Sequence, residues 1–362
     1  VIRSSAHLGS YSDLSRVAVP RRDPAVVVEP RDVIGLLDFA PDDEPREPRV
    51  DGRWSRDGVD GEEVSWSVGY GPRTRAWLLR PAARSGPLPG VVALHSHDGA
   101  KFHGKEKIAD GPHPAGPDMV ALRERSYGGR AFANELARRG FVVLVHDVFL
   151  WGSRRFDAST MAGALGLAVV PDDDPAAYNP LASRHEHLVA KYCTVLGTSM
   201  AALVAYEDRV AARYLASRAE VVDGPLGCVG LSGGGARAAL LSATSPRIGA
   251  TVITGMMTTH DAMLDRHVAG HTWMFFPPGL PRLGDWPDVA GCRAPSPLLV
   301  QYLRDDHLFP LDGMEAADRR LGEIYRHRGA PAAYVGEFHP GDHRFDLAMQ
   351  ESAFARLSAW LT

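Results

Sequence analysis

From Glu62 onward the chain switches between short apolar runs and longer stretches with helical spacing. Val64-Ser-Trp66-Ser-Val68 alternates apolar and polar positions, Gly69 to Pro72 supplies a turn, and residues 74–79 follow, so the pattern predicts a β-hairpin. After the Pro/Gly break at 87–90, residues 91–94 form a continuous apolar run of strand length, the pattern of a strand buried on both faces. Similar runs at 141–145, 226–231, 251–254, 298–302 and 332–338 predict further strands. Between them, apolar positions spaced three or four apart predict helices over 130–139, 199–219, 235–243, 314–328 and 346–361. A hairpin followed by alternating strands and helices implies an α/β fold. Its central sheet is mostly parallel, covered by helices on both faces, with antiparallel strands at one edge.

Two kinds of segment break the alternation. Residues 1–60 are rich in Pro, Asp and Arg, and the stretch from Pro41 to Pro48 reads as an extended linker, so a Pro- and charge-rich extension is expected before a catalytic domain at 61–362. Three insertions, near 101–129, 152–190 and 260–291, are rich in Gly, Pro, His and Trp. In an α/β sheet such segments commonly cover the carboxyl ends of the strands, where ligands bind.

Composition narrows the function classes. With 45% hydrophobic and 23% charged residues, 362 residues can bury a core without metal or disulfides. A net charge of −4 gives no basic footprint for nucleic acid. The three cysteines, Cys193, Cys228 and Cys292, have no CxxC spacing, and Cys228 reads as a small buried hydrophobe. No run reaches the ~20 apolar residues of a membrane span, and no signal-peptide pattern is visible. The expectation is a cytoplasmic location, with secretion left open because the chain begins at Val1.

The strongest local chemistry is Gly230-Leu-Ser232-Gly-Gly234, a G-x-S-x-G sequence between a predicted strand and a predicted helix. That context suits a nucleophile elbow, where small neighbours let the chain turn sharply and Oγ project. The bland alternative is a glycine-rich turn that packs or holds phosphate. A serine nucleophile needs a base held by an acid, and in strand–turn–helix sites these follow in the order Ser, Asp, His. The strand at 298–302 runs into Arg304-Asp305-Asp306-His307, so the acid is Asp306 or its neighbour Asp305, although paired aspartates there could simply cap a helix. Past the last strand, His339-Pro-Gly-Asp-His343 offers His343 as the base, His339 lying too close to the strand. An oxyanion hole completes the set, with the N–H of Gly233 as one donor. The second comes from the loop His95-Ser-His97-Asp98-Gly99, by the N–H of His97 or, as the alternative, Asp98.

Together the hairpin, His95 to Gly99, the stretch 147–153, the elbow, Asp306 and Gly-Asp-His343 resemble the α/β-hydrolase superfamily, over about 62–362. Within it they look most like the dienelactone-hydrolase and acetyl-xylan-esterase-like branch, but with serine at the elbow where dienelactone hydrolases use cysteine. The resemblance implies Asp306 as the acid, through Asp-x-x-x-Pro310 after the strand. It also implies hydrolysis of a small carboxylic ester through an acyl-enzyme on Ser232, without cofactor, nucleic acid or membrane. Thioesterase, acyltransferase, cyclase or C–C hydrolase chemistry on the same residues, or a non-catalytic binding protein, are the alternatives. Trp151, Met256 and Trp273 are expected to line the substrate pocket, and Phe275 and Phe276 fall in the same insertions. His95, His97 and His103, like His185 and His187, lack the helical HExxH spacing of a metal site.

Overall fold

The computed structural model describes residues 5–15, 27–40 and 42–362; residues 1–4, 16–26 and 41 of the expected extension, Pro41 included, lie outside the described residues. Among the described residues nine strands form one sheet: β1 (Arg46–Arg56), β2 (Val59–Ser67), β3 (Thr74–Pro81), β4 (Gly90–Leu94), β5 (Val142–His146), β6 (Leu226–Leu231), β7 (Ile248–Thr254), β8 (Leu298–Leu303) and β9 (Tyr334–His339). Their order is β1-β2-β3-β5-β4-β6-β7-β8-β9. Pairing is antiparallel from β1 to β5 and parallel from β5 to β9.

The parallel strands are apolar throughout because both faces are covered. On β4, Val91 and Ala93 face one core layer with Phe132, Leu136, Phe354 and Leu357. Val92 and Leu94 face the other, built from the helices Met200–Ala216, Gly233–Thr244 and Leu311–His327. Two-sided burial explains why these strands read as unbroken apolar runs rather than alternating ones.

Four sequence expectations change. Residues 46–56, placed in the extension, form β1, which pairs along β2 from Arg46↔Ser67 to Arg56↔Val59. It hides from pattern reading because it is an edge strand rich in Arg, with Pro48 near its start, a composition that also discourages pairing with other chains. Trp54 anchors it edge-on against Trp77, centroids 6.0 Å apart, over Gly61, where any Cβ would collide with the indole. A helix at Pro30–Leu36 buries Val33, with Val28 and Leu37, in the core, so this part of the extension is packed as well. The insertion at 152–190 is largely helical, with Ala158–Leu165 and Pro175–Val195. Asp174 caps the second, accepting from the Ala176 N–H at 2.9 Å, while Pro180 inside it masks the helical signal. The insertion at 101–129 likewise holds a helix, Pro117–Tyr127. No single helix among the described residues is long and apolar enough to cross a membrane.

Candidate functional site

Ser232 stands between β6 and the helix Gly233–Thr244 at φ 57°, ψ −118°. A non-glycine residue in such a region costs about 1–3 kcal/mol and persists only where its surroundings enforce it. Here the Ser232 N–H donates to the Thr254 carbonyl on β7 at 2.8 Å, and its own carbonyl accepts from Ala236 at 2.9 Å. The flanking glycines are sterically required. A Cβ on Gly230 would lie 2.4 Å from the Gly234 backbone, and one on Gly234 only 2.1 Å from the Leu94 oxygen.

His343 reaches the same pocket from the loop after β9, and Asp306, on the loop after β8, stands behind it. His343 Nδ1 lies 2.6 Å from Asp306 Oδ2, and Asp306 Oδ1 accepts from the Leu308 N–H at 2.9 Å. The Asp306 carboxylate is buried, while the His343 ring is partly open to solvent. Asp305 points elsewhere: it is exposed and accepts from the Gly341 N–H at 2.7 Å, tying the two loops together. With Nδ1 facing a carboxylate, the imidazole carries its proton there and leaves Nε2 as an acceptor.

The loop after β4 approaches from the opposite side. The His97 N–H lies beside Gly233, where an added Cβ would come within 2.9 Å of that nitrogen. Gly99 N–H donates to His97 Nδ1 at 2.9 Å, so Nε2 bears the ring proton and faces Glu186 Oε2 at 3.3 Å. Burial pulls the His97 imidazole below its usual range, so the ring stays neutral; His95 is pulled down further, by burial and then by the Arg237 and Lys107 charges. Glu186 is held well below the usual carboxylate range: burial opposes this, but His97 and Lys101, whose Nζ is 2.6 Å away, outweigh it.

Ser232, Gly233, His97, Asp98 and His343 share a pocket of about 160 Å³ with His271, Thr272, Met274, Phe275, Leu308 and Phe309. None of the three residues expected to line it does so. Trp151 is buried behind the loop, its Nε1 donating to the His97 carbonyl at 3.4 Å. Met256 is buried beneath the elbow helix, where a Cβ on Gly235 would meet its Cγ at 2.8 Å. Trp273 turns outward, 46% exposed, and donates to His187 Nδ1. Its chain neighbours Thr272 and Met274 face the pocket instead, as does Phe275. His271, which sequence reading did not single out, stacks on Phe275 with centroids 5.1 Å apart, and burial pushes its imidazole down to about 4. Among the described residues one trio of ligand-type side chains converges, Asp306, His307 and Asp342, with donor atoms within 4.8 Å of one another. Two of the three are exposed, and both Asp306 oxygens already have partners.

No protein-family model matches the chain. It is 24% identical over 287 residues to the Bacillus subtilis (strain 168) protein named "Putative hydrolase YtaP", covering 79% of this chain and 83% of that one. Among solved structures, it superposes on a protein titled "putative acetyl xylan esterase" from Bacteroides fragilis NCTC 9343 with a TM-score of 0.65 at 14% identity, over 92% of this chain and 82% of that one. A glucuronoyl esterase from Solibacter usitatus superposes with a TM-score of 0.64 at 13% identity, over 96% and 100% of the two chains. With its sheet order, elbow and converging loops, the protein has the α/β-hydrolase fold.

Proposed function

We propose that the protein is a serine hydrolase that cleaves a small carboxylic ester through an acyl-enzyme on Ser232. The observation that carries this reading is the strained Ser232 opening into one pocket with His343, whose Nδ1 sits 2.6 Å from the buried Asp306. His343 Nε2 takes the Ser232 proton as Oγ attacks the ester carbonyl, and Asp306 fixes the tautomer and stabilises the charged ring. The N–H groups of Gly233 and His97 receive the oxyanion. The imidazolium then returns the proton to the departing alcohol, and water, deprotonated by the same base, releases the acid. The structural neighbours described as esterases agree with this chemistry.

Purified Ser232→Ala is expected to fold normally and to lose at least about a thousandfold in hydrolysis of a p-nitrophenyl ester, because serine, base and acid act as one unit. Near-wild-type turnover in the variant would remove the proposal. The pocket of about 160 Å³ suits a short acyl group. Acetyl esters are therefore expected to exceed decanoyl esters in kcat/KM, and the reverse order would contradict a short-acyl site.

A further inference from the structure

Lys107 occupies an unusual place for a cation. Its side chain is fully buried, and its Nζ donates to the carbonyls of Ser96 at 2.8 Å and His97 at 2.9 Å. The nearest carboxylate, Asp98, lies farther off at 3.7 Å and is itself hydrogen-bonded by the Ser96 hydroxyl. Buried lysines are rare without a partnered acid. Here the closest partners are two neutral carbonyls in the loop that carries the second oxyanion donor.

The Ser96 carbonyl and the His97 N–H belong to one peptide unit. A cation on the oxygen draws electron density from the nitrogen, so the N–H at the other end becomes a stronger donor, as hydrogen bonds in a chain polarise one another. We propose that Lys107 is a positioning residue of the oxyanion hole, its buried ammonium gripping and polarising the peptide unit whose N–H meets the substrate oxyanion. This rests on the serine-hydrolase reading above.

The groups facing Lys107 define how its charge responds to pH. They are His95, His97 and Asp98 of the loop, Lys101 and Glu106 of the following segment, and Arg237 of the elbow helix. Arg123, from the helix Pro117–Tyr127, donates to the Lys107 carbonyl, and Tyr127 of that helix bonds the Ser96 hydroxyl. Burial, with the Lys101 and Arg237 charges, pulls the ammonium down to about 8 against the pull of Asp98 and Glu106. Above that pH the polarising charge leaves, so turnover falls on the alkaline side.

The test compares wild type, Lys107→Met and Lys107→Gln on a neutral acetyl ester from pH 6 to 10. Circular dichroism monitors the fold, and a fluorophosphonate counts active sites. The wild type is expected to be labelled and to lose turnover above pH 8. Folded, labelled Lys107→Met is expected to show kcat at least about tenfold lower at pH 7, with KM within about twofold and no alkaline limb. Loss of a direct oxyanion donor costs about 10²–10³, and Lys107 acts one peptide unit away. Lys107→Gln keeps a neutral donor, so wild-type kcat in it would show that the charge is not needed and overturn the proposal. An alkaline limb unchanged in Lys107→Met would do the same. If neither variant folds, the wild-type profile decides, and constant turnover from pH 7.5 to 9.5 overturns the proposal. A wild type that the fluorophosphonate leaves unlabelled would instead defeat the serine-hydrolase reading beneath it.

Discussion

The two walls of the pocket are built in opposite ways. On the wall that carries the proposed acid and base, the loops after β8 and β9 meet partly at the surface: Asp306 with His343, Asp305 with Gly341 through both its carboxylate and its N–H, Arg304 with the His339 carbonyl, and the exposed pair His307–Asp342. On the proposed oxyanion wall, the loop after β4 is held almost entirely by buried groups. Arg237 donates to the His95 carbonyl while pairing with Asp208, which also meets His146. Lys107 grips the Ser96 and His97 carbonyls, and Tyr127 bonds the Ser96 hydroxyl at 2.6 Å. Glu186 meets His97 and also accepts from Thr272, at 2.6 Å, and the Trp273 N–H. In the proposed mechanism the contrast follows from what each wall must do. A general base exchanges protons and needs access to solvent, whereas an oxyanion hole works by not reorganising when charge develops.

The largest expected effect breaks the acid–base wall. Asp306→Asn is expected to lower kcat by about 10³–10⁴, because the amide no longer fixes the tautomer of His343. Asp305→Asn, whose carboxylate meets only the Gly341 amide, is expected to cost less than about tenfold. Steady-state kinetics of the two variants decide this, and the opposite ranking would move the acid to Asp305.

The next effect breaks the oxyanion wall and reads as stability rather than turnover. Arg237→Met leaves the fully buried Asp208 facing only His146. Removing one partner of a buried ion pair costs about 3–5 kcal/mol, measurable by urea unfolding. A loss below about 1 kcal/mol would show that this network does not hold the loop.

The smallest effect is a pH dependence that sharpens the comparison. Burial keeps His95, His97 and His271 neutral in the fold, each below its ordinary value. The unfolded chain therefore binds more protons as pH falls through the ordinary histidine range, and stability declines below that range. Asp208 and Asp147 are also depressed, burial opposing the shift and Arg237 and Lys105 respectively prevailing over it. Their contribution is present above the ordinary carboxylate range and is lost as pH falls through their lower folded values. Urea midpoints are thus expected to fall in two stages between pH 7 and pH 3. A midpoint constant down to pH 5 would contradict the burial of neutral imidazoles.

What was legible in the sequence follows the same division. The sheet, the elbow and the candidates Asp306 and His343 emerge from apolar runs and chain order, because each sits at the end of a strand whose burial writes itself into the pattern. The strand β1 does not, since an edge strand needs no apolar stripe and its Arg-rich face is solvated. Trp151, Met256 and Trp273 were legible as large apolar residues near the site, but not in direction. Whether an insertion residue faces the pocket depends on how the insertion lies, and at Trp273 that differs from Thr272 and Met274 by one position. Lys107 and Glu186 carried no signal, because their partners come from other parts of the chain and an isolated charge reads as solvated surface.

The most direct test of the account is where a mechanism-based label lands. Wild-type protein treated with a fluorophosphonate, digested and mapped by tandem mass spectrometry is expected to carry a single adduct on the peptide containing Gly230-Leu-Ser232-Gly-Gly234, at Ser232. The adduct should be absent from Ser232→Ala and form far more slowly in Asp306→Asn. Stoichiometric labelling at another residue, or equal labelling of Ser232→Ala, would contradict the assignment of Ser232 as the nucleophile.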